Sequence, residues 1–120
     1  MTTLTFQLGW LPPASVRGNS RAHWTAKARD TKALRESGHL HGLSKGADLM
    51  PKASIQYAFR HWRSIDLDNL VIGMKPFCDG IIDSGLLPDD DPEHLTLEAP
   101  TFERVKKGSE GVTVTLREIE

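Results

Sequence analysis

Apolar and polar residues alternate from Thr3 to Trp10, with Leu4, Phe6 and Leu8 on one side. This period of two predicts a strand. Leu11-Pro12-Pro13 ends it, and residues 14–20 read as a small polar loop. From Ser20 to about Leu43, the spacing of Ala22, Ala26, Ala28, Ala33, Leu34 and Leu40 predicts a helix with Ser20 as its N-cap. Gly38, Gly42 and Gly46 leave the end of that helix open. Alternation returns from Ala53 to Phe59, with Ile55, Tyr57 and Phe59 on one side, and predicts a second strand.

Helical spacing then resumes within residues 69–84, through Leu70, Val71, Met74, Phe77, Cys78, Ile81 and Ile82. Pro76 requires the regular helix to begin near Met74 or Lys75, or to kink there. Gly85 is the expected stop. Leu95 to Val105 and Val112 to Ile119 read as two more strands, and Gly108 and Gly111 between them predict an antiparallel hairpin. The order β-α-β-α-β-β implies an α/β (α+β) fold: one small domain over residues 1–120, with a mixed sheet and two main helices. No internal repeat or low-complexity stretch interrupts it.

A chain of 120 residues with 38% hydrophobic and 26% charged positions is long enough for one modest core and ordinary for a globular protein. No apolar run reaches membrane-spanning length, and the N-terminus does not read as a signal peptide. The lone cysteine, Cys78, fits a reducing cytoplasm and a buried apolar role. No basic group is placed to activate it as a nucleophile. His39-x-His41 with Cys78 lacks the spacing and the fourth ligand of a zinc site.

The formal net charge of -1 conceals a segregation. Residues 1–65 carry ten Lys/Arg against three Asp/Glu, a net +7, and residues 66–98 carry one Lys against nine Asp/Glu, a net -8. Two divalent cations in the acidic stretch would offset half of its charge and leave the basic part free to face a polyanion. Alternatively, the two regions neutralise each other through ion pairs.

The acidic stretch also carries the candidate chemistry. Asp66 and Asp68 occupy alternate positions, which share one face of an extended segment. Lys75 and Asp79 follow, and Asp89-Asp90-Asp91 arrives about twenty residues after Asp68. Converging carboxylates repel unless a cation lies between them, and hard oxygen ligands suit Mg²⁺ or Mn²⁺ together with substrate phosphates. The competing reading makes Asp-x-Asp a helix cap and the triple Asp a solvated loop. A calcium loop is excluded, because no twelve-residue segment has Gly at its sixth position.

Asp66-Leu67-Asp68-Asn69-Leu70, Lys75-Pro76 with Asp79, Gly85 and Asp89-Asp90 together resemble the RusA-type Holliday-junction resolvases. Pro12-Pro13, Ser15, Asn19, Arg21 and His23-Trp24 are similar to the family's N-terminal segment. The resemblance spans most of the chain. It implies a homodimeric, Mg²⁺-dependent endonuclease (Mn²⁺ as the second choice) that nicks two opposed strands of a four-way DNA junction. It also implies catalytic Asp66, Asp68, Lys75 and Asp90, with the three carboxylates as metal ligands. Asn69 and Asp79 are the expected supporting residues, with Asp79 bracing Lys75 or capping a surface turn and not binding metal directly. Asn19, Arg21, Lys27 and Arg63 are the expected DNA contacts. The implied setting is the cytoplasm of a bacterium or a phage-infected host, with no membrane and no small-molecule cofactor.

The chain departs from the family pattern at three points. Val71-Ile72-Gly73 look like three extra residues before the lysine; on a continuous helix they would move Lys75 by about 4.5 Å along the axis. Pro76 and Gly73 instead favour a loop or bulge there, with Lys75 kept in place. The triple Asp leaves Asp90 and Asp91 as alternatives for the third ligand, Asp90 being favoured. His61-Trp62-Arg63-Ser64-Ile65 keeps a single Arg where a basic cluster is expected. Trp24 is expected in the core, the alternative being a stack on an unpaired base. The basic helix is either a DNA-contacting surface or an ordinary solvated face. The dimer surface is sought in the hairpin or in exposed apolar residues of the second helix. A nuclease for flaps or branches, and a non-catalytic binder of branched DNA with the same fold, are the rival functions.

Overall fold

The computed structural model describes residues 1–18, 21 and 23–120. Strand β1 (Thr3–Leu8) leads through a 3-10 turn (Ala14–Val16) to helix α1 (Trp24–Ser44). Then follow β2 (Ala53–His61), α2 (Leu67–Gly73), α3 (Lys75–Asp83), β3 (Leu95–Leu97), β4 (Thr101–Arg104) and β5 (Gly111–Glu118). The sheet order is β1-β5-β2-β3, and β4 continues the β3 edge along β2. β5 is antiparallel to both β1 and β2, whereas β3 and β4 run parallel to β2. The expected mixed sheet with two helical units is therefore the architecture adopted.

Alternation decides which face of the sheet is covered. Along β5, Val112, Val114 and Leu116 are buried while Thr113, Thr115 and Arg117 turn toward the other side. Phe6 and Leu8 of β1 and Ile55, Tyr57 and Phe59 of β2 join the same core. The helices close it with Leu70, Met74, Phe77, Cys78 and Ile81, all buried, as their spacing predicts.

Several local expectations are corrected. Gly38 and Gly42 do not end the first helix; both are buried inside α1, where a Cβ on Gly38 would collide with the Phe77 carbonyl and one on Gly42 with the Ser84 side chain. From the other side, a Cβ on Gly80 would collide with the Arg35 carbonyl and lie 2.7 Å from the His39 nitrogen. α1 and α3 thus pack backbone to backbone through glycines, which is why α1 needs so few large apolar residues. Leu40, expected on the buried face, is exposed. Gly46, at φ +59°, is where the chain leaves the helix.

The expected N-cap Ser20 lies outside the described residues. The observed cap is His23, whose Nδ1 accepts from the Thr25 amide at 3.2 Å. Trp24, expected in the core, is 73% exposed at the first position of α1 and tilts against His23. The segment after Pro13 is not a purely polar loop: Ser15 and Val16 are buried, and the Ser15 hydroxyl donates to Asp30 at 2.6 Å, tying the turn to α1.

Residues 95–105 are not one strand, and they form no hairpin with β5. From Ile55↔Leu97 to Ala58↔Thr101, β2 advances three residues while the edge advances four. The extra residue makes a bulge, and Pro100 sits there with no N–H to give to the ladder. β5 instead inserts between β1 and β2, which gives its apolar face partners on both sides.

Candidate active site

The segment after β2 builds the site. Asp66 is the N-cap of α2, in extended conformation, yet its side chain makes no capping bond. Its carboxylate is therefore not used up by the helix end, as the helix-cap reading would have it. Asp68 lies in the first turn of α2. The two aspartates thus do not share a face of an extended segment. One is outside the helix and one is inside it.

Val71-Ile72-Gly73 are the last residues of α2, not a loop or bulge. Met74 serves as C-cap of α2 and N-cap of α3 at φ -86°, ψ -8°, and Pro76 sits in the first turn of α3, where its missing N–H costs nothing. The insert is therefore helical, followed by a kink. Val71, Ile72 and Lys75 line one cleft, whereas Asp68, at the start of α2, is separated from Lys75 by the rest of α2 and the kink. Gly73 has a packing role: a Cβ there would lie 2.7 Å from Pro12 Cβ. One on Gly18 would lie 2.6 Å from Asn69 Oδ1. The Pro12-Pro13 segment and the Asp-x-Asp-Asn segment, distant in sequence, are thereby packed together, with Asn69 at the contact.

Lys75 holds two carboxylates at once. Its Nζ pairs with Asp79 one turn along α3 and lies 2.7 Å from Asp90 Oδ2. Partial burial pulls the Lys75 pKa down, but the hydrogen bonds to Asp79 and Asp90 outweigh it and hold the ammonium above the ordinary lysine value. The bond from Lys75 holds Asp90 below the usual carboxylate range. Asp91 faces elsewhere: its Oδ1 accepts from the Glu93 amide at 2.9 Å and from His94 Nδ1 at 2.7 Å, closing the following turn. Of the triple Asp, Asp90 is the member beside Lys75, and Asp91 shapes the loop.

A cleft of about 390 Å³ opens beside this pair. Tyr57 and Cys78 are buried members of its lining, α2 supplies Val71 and Ile72, β3 supplies Leu95 and Leu97, and Lys75 and Asp90 are its charged groups. Burial pushes the Cys78 thiol up to about 11, which keeps it protonated and inert as a nucleophile.

The donor set of Asp66, Asp68 and Asp90 fits a hard divalent cation by chemistry, being anionic oxygen throughout. By position it is not gathered: among the described residues no three acidic, histidine or cysteine side chains lie close enough to hold an ion, and Asp90 is engaged by Lys75.

The expected DNA contacts are dispersed. Asn19 lies outside the described residues, and Arg21 and Lys27 are exposed near the start of α1. Arg63 stands with its guanidinium 4.9 Å from the Trp62 ring centre, and Lys107 Nζ lies 5.3 Å from the same ring. Arg17 and Arg63 line a shared groove with Trp62, Ser64 and one anion, Glu110, just before Asp66. The single Arg before the acidic motif is thus joined by cations from two other segments. Trp62, Lys107 and Arg17 were not singled out by sequence reasoning. The adjacent Trp62-Arg63 and Lys106-Lys107 pairs were the available signals, but only the fold unites them.

Among the described residues, no helix is long and apolar enough to cross a membrane. Compared with known proteins, the chain matches no family model and no curated relative.

Proposed function

We propose that this chain is a structure-specific DNA endonuclease of the RusA type, acting on four-way junctions as a homodimer in the cytoplasm, with Mg²⁺ or Mn²⁺ as its cofactor. The observation that carries the reading is Lys75 held between Asp79 and Asp90, in the lining of an open cleft. A lysine so placed offers a point charge to a phosphodiester. The Trp62 groove, with Arg17 and Arg63 in its lining against one Glu110 and Lys107 beside the Trp62 ring, supports the reading as a strand-binding surface.

In this mechanism Asp66, Asp68 and Asp90 are the residues that would hold the cation, which when bound lowers the pKa of a coordinated water and neutralises charge on the phosphate. Lys75 exchanges Asp90 for a phosphate oxygen, and that exchange releases the Asp90 carboxylate. Asp79 keeps the ammonium oriented throughout. Two symmetric cuts call for two copies related by a two-fold axis.

A second reading has its own support. The helical insert displaces Lys75 from Asp68, and the three carboxylates are not gathered. Both fit a protein that binds branched DNA without cutting it.

Cleavage of a labelled four-way junction in Mg²⁺ and in Mn²⁺ separates the two, with linear duplex as control and Asp68→Asn as comparison. Paired symmetric nicks in the junction alone, lost in Asp68→Asn, support the resolvase. Flap or fork cutting without paired nicks supports the broader nuclease. Tight junction binding with no cut in either metal leaves the binding protein.

A further inference from the structure

The cleft beside Lys75 has a chemistry that phosphodiester hydrolysis alone does not require. Part of its lining is buried and part is not: Ile72 of α2 and Leu97 of β3 are 52% and 55% exposed. Apolar area left open around a concavity of about 390 Å³ is the mark of a site that takes something in. Its lining divides into two charged side chains, Lys75 and Asp90, and the aliphatic Val71, Ile72, Leu95 and Leu97. The other polar atoms come from Tyr57 and Cys78, both buried.

A nucleotide is partitioned in the same way. Its phosphate is anionic, and its base is a flat body with apolar faces and a few hydrogen-bonding atoms along one edge. We propose that the cleft is a nucleobase subsite, receiving an unstacked base of the bound strand while the adjoining phosphate lies against Lys75. This rests on the reading of the chain as a DNA-acting protein. It adds that the protein engages a base beside the phosphate, not the backbone alone. Unstacking a base costs least where pairing is already broken, so the subsite would favour branch points over continuous duplex. Ile72 and Leu97 would sandwich the ring faces, and Tyr57 Oη would meet the polar edge.

The test is methyl NMR on the full chain, with Ile, Leu and Val methyls labelled and thymidine 5′-monophosphate as the probe. Deoxyribose 5-phosphate and inorganic phosphate serve as controls. The expected result is movement of the Ile72 and Leu97 methyl signals with the nucleotide and not with either control. Leu97→Asp, at an exposed position, should weaken the nucleotide about fivefold or more while leaving the remaining methyl spectrum unchanged. Absence of shifts at Ile72 and Leu97, or equal shifts with deoxyribose 5-phosphate, would overturn the subsite. So would shifts that grow with protein concentration alone, which would mean a second copy fills the cleft. Junction cleavage, assayed in parallel, is independent of this readout. Nicking without methyl shifts sinks the subsite and spares the nuclease, whereas methyl shifts without nicking do the reverse.

Discussion

Lys75 Nζ lies 2.7 Å from Asp90 Oδ2 and so ties the first residue of α3 to the loop that precedes β3. The two side chains are 58% and 34% exposed. A pair in that setting contributes about 1 kcal/mol or less to folding, because water screens it and two flexible side chains must be held. Its position beside the cleft is a better account of it than stability is. Lys75→Met should therefore shift the urea midpoint little while reducing junction cleavage by two orders of magnitude or more (about 3 kcal/mol of lost electrostatic stabilisation). Chemical denaturation and single-turnover cleavage on the same preparations check this. A large stability loss with cleavage retained would make Lys75 a structural residue.

Arg35 clamps Asp83 with two bonds, Nε to Oδ2 at 2.6 Å and Nη2 to Oδ1 at 2.9 Å, and so links α1 to α3. The Arg35 hydrogen bond holds Asp83 below the usual carboxylate range. A carboxylate with a lowered folded pKa contributes stability that is present above its unfolded value, about 3.9, and is lost as pH falls through the folded value. Wild type should therefore exceed Arg35→Met in stability at pH 7, and the two should converge below about pH 4. Denaturation midpoints between about pH 3 and 7, a range that brackets that value, test this. A constant gap across the range would mean that Arg35 acts through packing, not through charge.

Gly38 and Gly80 set the closest approach of α1 and α3. Alanine is the better helix former by about 1 kcal/mol, so on propensity alone Gly38→Ala would stabilise. The Phe77 carbonyl leaves the new Cβ no room, and overpacking of a rigid contact costs about 1–3 kcal/mol or more. The steric cost should win, with Gly38→Ala and Gly80→Ala both lowering the urea midpoint. Gly9→Ala is the control, since a Cβ there meets nothing within 4 Å. Equal midpoints for Gly38→Ala and Gly9→Ala would show that the helices slide apart without penalty.

The same glycines show where the sequence could not be read. Periodicity places Leu70, Met74, Phe77, Cys78 and Ile81 in the core, with Val71 and Ile82 partly buried beside them, because a dense apolar stripe on a short helix marks its buried face, whereas the sparser pattern of α1 put Leu40 there wrongly. A glycine announces only flexibility. Gly38 reads as a helix stop until Gly80, on another helix, is known to pack against it. Strand pairing is non-local in the same way. Gly108, at φ +95°, marks a turn as expected, but not that the chain crosses β2 after β4, so that β5 lies between β1 and β2. In the acidic stretch, composition identifies the cluster of carboxylates. The division of labour between Asp90 on Lys75 and Asp91 on its own turn depends on side-chain direction, which spacing does not encode.

The Trp62 groove gives a prediction that separates charge from stacking. Arg63 and Lys107 both face the Trp62 ring, yet they come from the segment after β2 and the β4–β5 connection. If the groove carries a DNA strand, each cation neutralises a phosphate. Lys107→Ala should then reduce the slope of log affinity against log salt by about 0.7–0.9, whichever branched DNA is used. Trp62→Ala removes a stacking surface instead. It should weaken binding to a junction with unpaired bases by about 1–3 kcal/mol while leaving the salt slope nearly unchanged. Fluorescence anisotropy from 50 to 200 mM salt, the interval over which phosphate contacts dominate affinity by orders of magnitude (about 10³–10⁵ for many contacts), resolves both effects. A Trp62→Ala protein that loses slope in step with affinity would mean the ring only positions its two cations. The groove would then be an electrostatic surface without a stacking platform.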